Sequence, residues 1–123
     1  MAGVTLPRAL CEMAHNSAMK PIVWVGSSKD DLRRFPMGVR SQSGFQLDKV
    51  QRGGDPDDWK PMPSIGPGVR EIRIREAAGA FRVIYVAQIG NAVHVLHCFQ
   101  KKTERTSLKD LRLAQQRLRE VTP

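Results

Sequence analysis

The 123-residue sequence predicts an α+β fold, an antiparallel β-sheet packed against helices on one face, in the order β-α-α-β-β-β-α. Three observations predict it. Three strand-like stretches follow one another between residues 69 and 99, separated only by turns. A helical apolar stripe closes the chain over residues 107–121. Ahead of the strands, a short β-branched run leads into two stretches bounded by helix start and stop signals.

The elements follow in order. Residues 1–18 stand apart from the pattern, with a short helix near Arg8–Ala14 as their only feature. They read equally as a flexible N-terminal extension or an overcalled translation start, which leaves residues 19–123 as one domain. Pro21–Val25 is apolar and β-branched between Pro and Gly, hence a strand. Ser28 with Asp31 three residues on marks a helix start, with Leu32 and Phe35 on its apolar side. Pro36 ends that turn or opens the next helix, which runs from about Met37 to Gln51 and buries Val39, Leu47 and Val50.

Asp55–Pro67 is rich in Pro and Asp and reads as a loop. Val69–Arg75 alternates, with Ile72 and Ile74 on one side and Glu71, Arg73 and Arg75 on the other. Ala80–Gln88 is mostly apolar, as befits a strand covered on both faces, and Ala92–Phe99 completes an antiparallel meander. Ser107 and Asp110 repeat the capping spacing, and Leu111, Ala114, Leu118 and Val121 recur at helical intervals.

The net charge is +8, from 20 Lys and Arg against 12 Asp and Glu. So large an excess on a small surface favours polyanionic partners. It is also uneven. Residues 19–68 carry eight basic and six acidic side chains, whereas residues 69–105, the expected sheet, carry seven basic and three acidic. A sheet with that imbalance is a candidate phosphate-binding face.

Cys11 and Cys98 are far apart and form no metal-ligand spacing with the histidines; Cys98 lies in an apolar run and reads as a small buried residue. No apolar run approaches the length of a membrane span, and the first residues lack a secretory pattern. A cytoplasmic protein without a membrane partner is expected. A membrane-surface role is further disfavoured because no helix joins a basic face to a strongly apolar one.

Alternation places Arg73 and Arg75 on the same side of their strand, with Arg82 across the hairpin. Three guanidiniums held on strands would make a preorganised anion site. His94 and His97, three apart, are expected on opposite faces of the last strand. His97 is the better candidate for proton transfer, being nearer Lys101 and Lys102, and His has the unperturbed pKa suited to that task. Lys101, Lys102 and Arg105 lie in the following connector, placed to close over a phosphate chain.

There is no metal-ligand cluster, no phosphate-cradling glycine loop and no nucleophile–base motif. Without a metal or cofactor, the reaction open to a cationic face with one His is attack by an RNA 2′-OH on its own phosphate. That reaction needs a base, an acid and cations for the developing charge. DNA lacks the 2′-OH.

The residues from Trp59 to Thr106 resemble the phage-derived HigB-like branch of the RelE/ParE toxin superfamily. The matching pieces are Trp59-Lys60-Pro61, Gly66–Ile74, Phe81–Tyr85 and, most specific, Val95–Thr103. With its flanking helices the resemblance spans roughly residues 20–121. It implies a RelE-like fold and the toxin half of a type II toxin–antitoxin pair. It further implies mRNA cleavage, often on the ribosome, with arrest of translation and growth, and inhibition by a cognate helix-turn-helix antitoxin. By position it assigns Arg73, Arg82 and His97 to catalysis, and Lys60, Arg75, Tyr85, Lys101, Lys102 and Arg105 to RNA binding. Where some relatives carry lysines on the first meander strand, this chain has Glu71 and arginines, which leaves the general base open.

Two other readings stand beside it. One is a ParE-like gyrase poison with no ribonuclease activity. The other is a non-catalytic basic module that binds nucleic acid with strong salt dependence. Convergence of Arg73, Arg82 and His97 on one accessible face would argue for the nuclease over the gyrase poison, whereas the binding module uses the same face and differs in turning nothing over.

Overall fold

The computed structural model describes residues 19–123; the short helix and extension expected before them lie outside the described residues. Five strands form one sheet: β1 (Ile22–Trp24), β2 (Trp59–Pro61), β3 (Val69–Glu76), β4 (Gly79–Val86) and β5 (Val93–Lys101). Their order across the sheet is β1-β5-β4-β3-β2. The helices are α1 (Ser28–Arg33), α2 (Met37–Gln51) and α3 (Leu108–Val121).

The antiparallel meander β3-β4-β5 forms as expected, with Arg73 opposite Arg82 and Ile84 opposite His97. β1 joins the far edge of β5 in parallel, Val23 beside His94. β2 is an addition: the Pro-rich stretch expected to be all loop contributes an edge strand antiparallel to β3, with Lys60 opposite Glu71. Its Pro61 fits there, because an edge strand tolerates a missing N–H.

The helices do not share one face, and the expected one-sided packing is corrected. On the first face Leu32, Phe35, Val39, Leu47 and Val50, from α1, α2 and their connection, meet Ile72, Ile74, Phe81, Val83, Tyr85 and Cys98. On the second, Ala114 with the half-buried Leu111, Leu118 and Val121 of α3 packs on Ile84, Val86 and Leu96. β4 supplies the reason. Phe81, Val83 and Tyr85 point one way, Ile84 and Val86 the other, and all five are buried. A strand apolar on both faces must be covered on both, so the last helix crosses to the side that the first two leave bare.

Local chemistry fixes the helix ends. Ser27, rather than Ser28, occupies the N-cap of α1, and its hydroxyl donates to Asp31 Oδ2 at 2.8 Å. Ser28 is buried and donates to the Val95 carbonyl at 3.0 Å, tying α1 to the sheet. Ser107 caps α3, accepting from the Asp110 amide at 3.2 Å. Gly66 lets its loop reach α3, since a Cβ there would lie 2.3 Å from Leu118 Cδ2.

Candidate functional site

The registers place the chemistry-bearing side chains in rows on the α3 side of the sheet. One row runs Lys60–Glu71–Ile84–His97 across β2, β3, β4 and β5; the next is Arg73–Arg82–Phe99, and the last Arg75–Ala80–Lys101. Paired residues on neighbouring strands point to the same side, so these three rows form one face. The start of α3 lies over the first row: Thr106 Oγ1 donates to Glu71 Oε2 at 2.9 Å, and Asp110 meets His97.

The arginines share the face as expected but differ in access. Arg75 is exposed and Arg73 half-buried, with its Nε 3.7 Å from Asp58. Arg82 is only 3% exposed, which corrects the picture of three open guanidiniums. Its Nε lies 3.3 Å from Oε1 of the fully buried Glu71, and its Nη1 donates to the Phe81 carbonyl. Burial, and then the positive charge of Arg73 and Arg75, pull the Arg82 pKa below its ordinary value, while Glu71 opposes them. Arg82 is therefore a charge set behind the surface. Lys101 is half-buried, and burial followed by Arg82 lowers its pKa as well. Cations that lower one another's pKa in this way favour an anion between them.

His97 is 6% exposed; its Nε2 is 2.7 Å from Asp110 Oδ1, its Nδ1 has no partner, and its ring stacks on Phe99 at 4.8 Å. His94 and His97 do not take opposite faces. The ladder pairs Ile84 with His97 but Tyr85 with Val95, so Leu96 is an extra residue in β5, a β-bulge. His97 and His94 pair with Ile84 and Val86, two apart on β4, and so lie on the same side. His94 bonds the Ile89 carbonyl at 3.1 Å, a structural role at the opposite end of the strand.

The other expected contacts divide. Lys60 lies half-buried in the first row, and Lys102 and Arg105 are exposed in the connector that leads to α3. Tyr85 does not join them. It is 1% exposed in the α1–α2 core, on the reverse of the sheet, where burial raises the pKa of its hydroxyl and the neighbouring Arg70 opposes the rise. Cys98 is buried on that side too, and burial pushes its thiol up, which leaves it unreactive.

Sequence reasoning missed two members of the face. Asp110 reads as a capping residue and is one, but its carboxylate also holds His97 and accepts from Ser107 Oγ. Glu71 reads as a departure from a basic pattern, and the structure makes it the counter-charge of Arg82. Its alternation with Arg73 and Arg75 was the available signal. Among the described residues, no three His, Cys, Asp or Glu side chains are grouped to hold a metal, and no helix is long and apolar enough to cross a membrane.

The fold and this face define a small α+β protein with a cationic sheet surface, bordered by a carboxylate-held histidine. Residues 30–119 match the family model described as Phage derived protein Gp49-like (DUF891), and the chain belongs to that family. It is a phage-derived, toxin-like family associated with toxin–antitoxin pairing. No curated protein matches the chain.

Proposed function

We propose that this protein is the toxin of a type II toxin–antitoxin pair of the RelE/HigB kind. In this reading it is a metal-independent endoribonuclease that cuts mRNA on the ribosome and is held inactive by a cognate helix-turn-helix antitoxin. The observation that carries the reading is the His97–Asp110 pair at 2.7 Å beside the rows of cations. With its Nε2 proton given to Asp110, His97 keeps the Nδ1 lone pair as a base, unpartnered but buried in the free protein, so RNA binding must uncover it.

The reaction balances with the residues present. His97 Nδ1 takes the proton from the RNA 2′-OH, and the 2′ oxygen attacks the adjacent phosphorus. The P–O5′ bond breaks, leaving a 2′,3′-cyclic phosphate, and Lys101 gives the 5′ oxygen its proton. Arg73 and Arg75 grip the non-bridging oxygens, with Arg82 adding charge from behind. Lys101 fits the acid role by position, as a half-buried ammonium in the row beyond Arg82 on the same face. Lys60, Lys102 and Arg105 track the flanking backbone.

The test is induced expression of wild type beside His97→Ala and Arg73→Ala in bacteria, with mapping of mRNA 5′ ends. Growth arrest with new discrete ends, absent in both variants, supports the nuclease. Arrest with intact mRNA moves the target to gyrase, and no arrest leaves a binding module.

A further inference from the structure

The cationic rows run towards the part of β5 beyond its pairing with β1. β1 pairs with β5 only over Val93–Val95, so Leu96–Lys101 faces the α1–α2 connection instead of another strand. A groove of about 550 Å³ opens there. His97 and Phe99 belong both to it and to the candidate catalytic face, so a chain bound across the arginines passes directly into it. The volume lies within the range of roughly 300–1,000 Å³ that small ligands occupy.

Its far wall is polar in a particular way. Asp31 and Arg34, one turn apart on α1 and its C-cap, stand side by side, with Arg34 Nη1 3.7 Å from Asp31 Oδ1. Ser27 fixes the second oxygen, Oδ2, from 2.8 Å. The Arg34 side chain is 80% exposed and extends from the helix end. Phe99, half-buried and stacked on His97, lines the same groove.

The geometry points to this groove as a guanine subsite for the nucleotide beside the scissile phosphate, an assignment that rests on the ribonuclease reading. The base stacks on Phe99, as single-stranded RNA bases do on aromatic side chains. The Asp31 carboxylate accepts from guanine N1–H and the 2-amino group, while Arg34 donates to O6 and N7. Adenine reverses this pattern, setting an acceptor against the carboxylate and an amino donor against the guanidinium. Rejection comes from unpaired groups as much as from lost contacts. Pyrimidines lack the N7 acceptor that Arg34 reads together with O6.

The assay is fluorescence anisotropy of the full chain, at fixed salt, with 2′-O-methyl trinucleotides whose central base is G, A, C or U. These probes cannot be cut, so binding is read apart from cleavage. Wild type is expected to prefer central G over A by about 10–100-fold. Asp31→Asn keeps the size but replaces one of the two acceptors with a donor that opposes guanine N1–H or its 2-amino group, and is expected to lower the preference for G about tenfold. Arg34→Ala, at an exposed site that leaves the fold intact, is expected to lower the preference for G. Equal affinity for the four probes, or a preference for G that both variants retain, overturns the subsite. If ordinary RNA is left uncut while the G preference and its loss in the variants hold, the nuclease reading falls and the groove stands as a guanine-binding site without a scissile phosphate beside it.

Discussion

Arg117 donates from Nη1 to the carbonyl of Leu96 at 2.9 Å, and Leu96 is the residue that the bulge inserts into β5. A bulge leaves a backbone group without a ladder partner, and here a buried guanidinium from α3 supplies one. Nη2 continues to Ser27 Oγ at 3.0 Å, so one side chain links the last helix, the bulge and the cap of α1. The bulge turns His97 to the cationic side, which makes Arg117 a positioning residue for it. Arg117→Ala is expected to cost about 1–3 kcal/mol in urea unfolding, through the unpaired carbonyl. It is also expected to perturb the His97 ring resonances, and unchanged resonances would separate stability from placement. Gly26→Ala should act on the same link. A Cβ there would lie 2.6 Å from Arg117 Nε, at a φ of +58°.

The Asp110 carboxylate decides which nitrogen of His97 carries the proton. Asp110→Asn keeps the size of the side chain and leaves Ser107 as the cap, so stability should change by less than about 1 kcal/mol. Cleavage of an RNA substrate by purified protein should fall about 100–10,000-fold, the range of a lost general base. The His97→Ala, Asp110→Asn double variant should be no slower than His97→Ala alone, because the two act as one unit. Additive losses would assign Asp110 a separate task.

Much of the fold is legible in the sequence, because each legible feature is local. The alternation of Ile72 and Ile74 with Glu71, Arg73 and Arg75 sets one strand, and Ser107 with Asp110 sets the start of α3. What escapes depends on distant partners. The bulge at Leu96 carries no glycine to announce it, and it reverses the facing of His97 relative to His94. The β2 strand hides among prolines because an edge position excuses them. The side taken by α3 was written in the doubly apolar β4, but only packing shows that two helices cannot cover both of its faces. Of the site, the shared face of Arg73, Arg75 and Arg82 follows from strand period. The burial of Arg82 does not, since it depends on Glu71 across the ladder and Thr106 above it.

Glu71 and Arg82 form a buried ion pair, 0% and 3% exposed. Removing one partner of such a pair leaves a charge with neither water nor counter-ion. Glu71→Gln, which still accepts from Thr106, is expected to destabilise the protein by about 3–5 kcal/mol in urea melts. Replacing both partners, as Glu71→Leu with Arg82→Met, removes both desolvation costs and should return stability to within about 1 kcal/mol of wild type. A double variant as unstable as Glu71→Gln would show that the pair holds the sheet by more than mutual compensation.

The depressed pKa of Lys101 gives the face a pH dependence of definite sign. Burial first, and then Arg82, disfavours its charged form, so the free protein loses this charge at lower pH than an ordinary lysine would. A bound phosphate stabilises the charged form and raises the pKa again. Above the lowered value, RNA binding must therefore take up a proton, and affinity should fall as pH rises through it. Below that value Lys101 is charged whether or not RNA is bound, and the dependence should vanish. A titration of Kd for a non-cleavable RNA between pH 7 and about 10, the latter near the unperturbed lysine value, would show this fall. Lys101→Arg, charged throughout the range, should flatten it. A slope that persists in Lys101→Arg would place the titrating group elsewhere on the face.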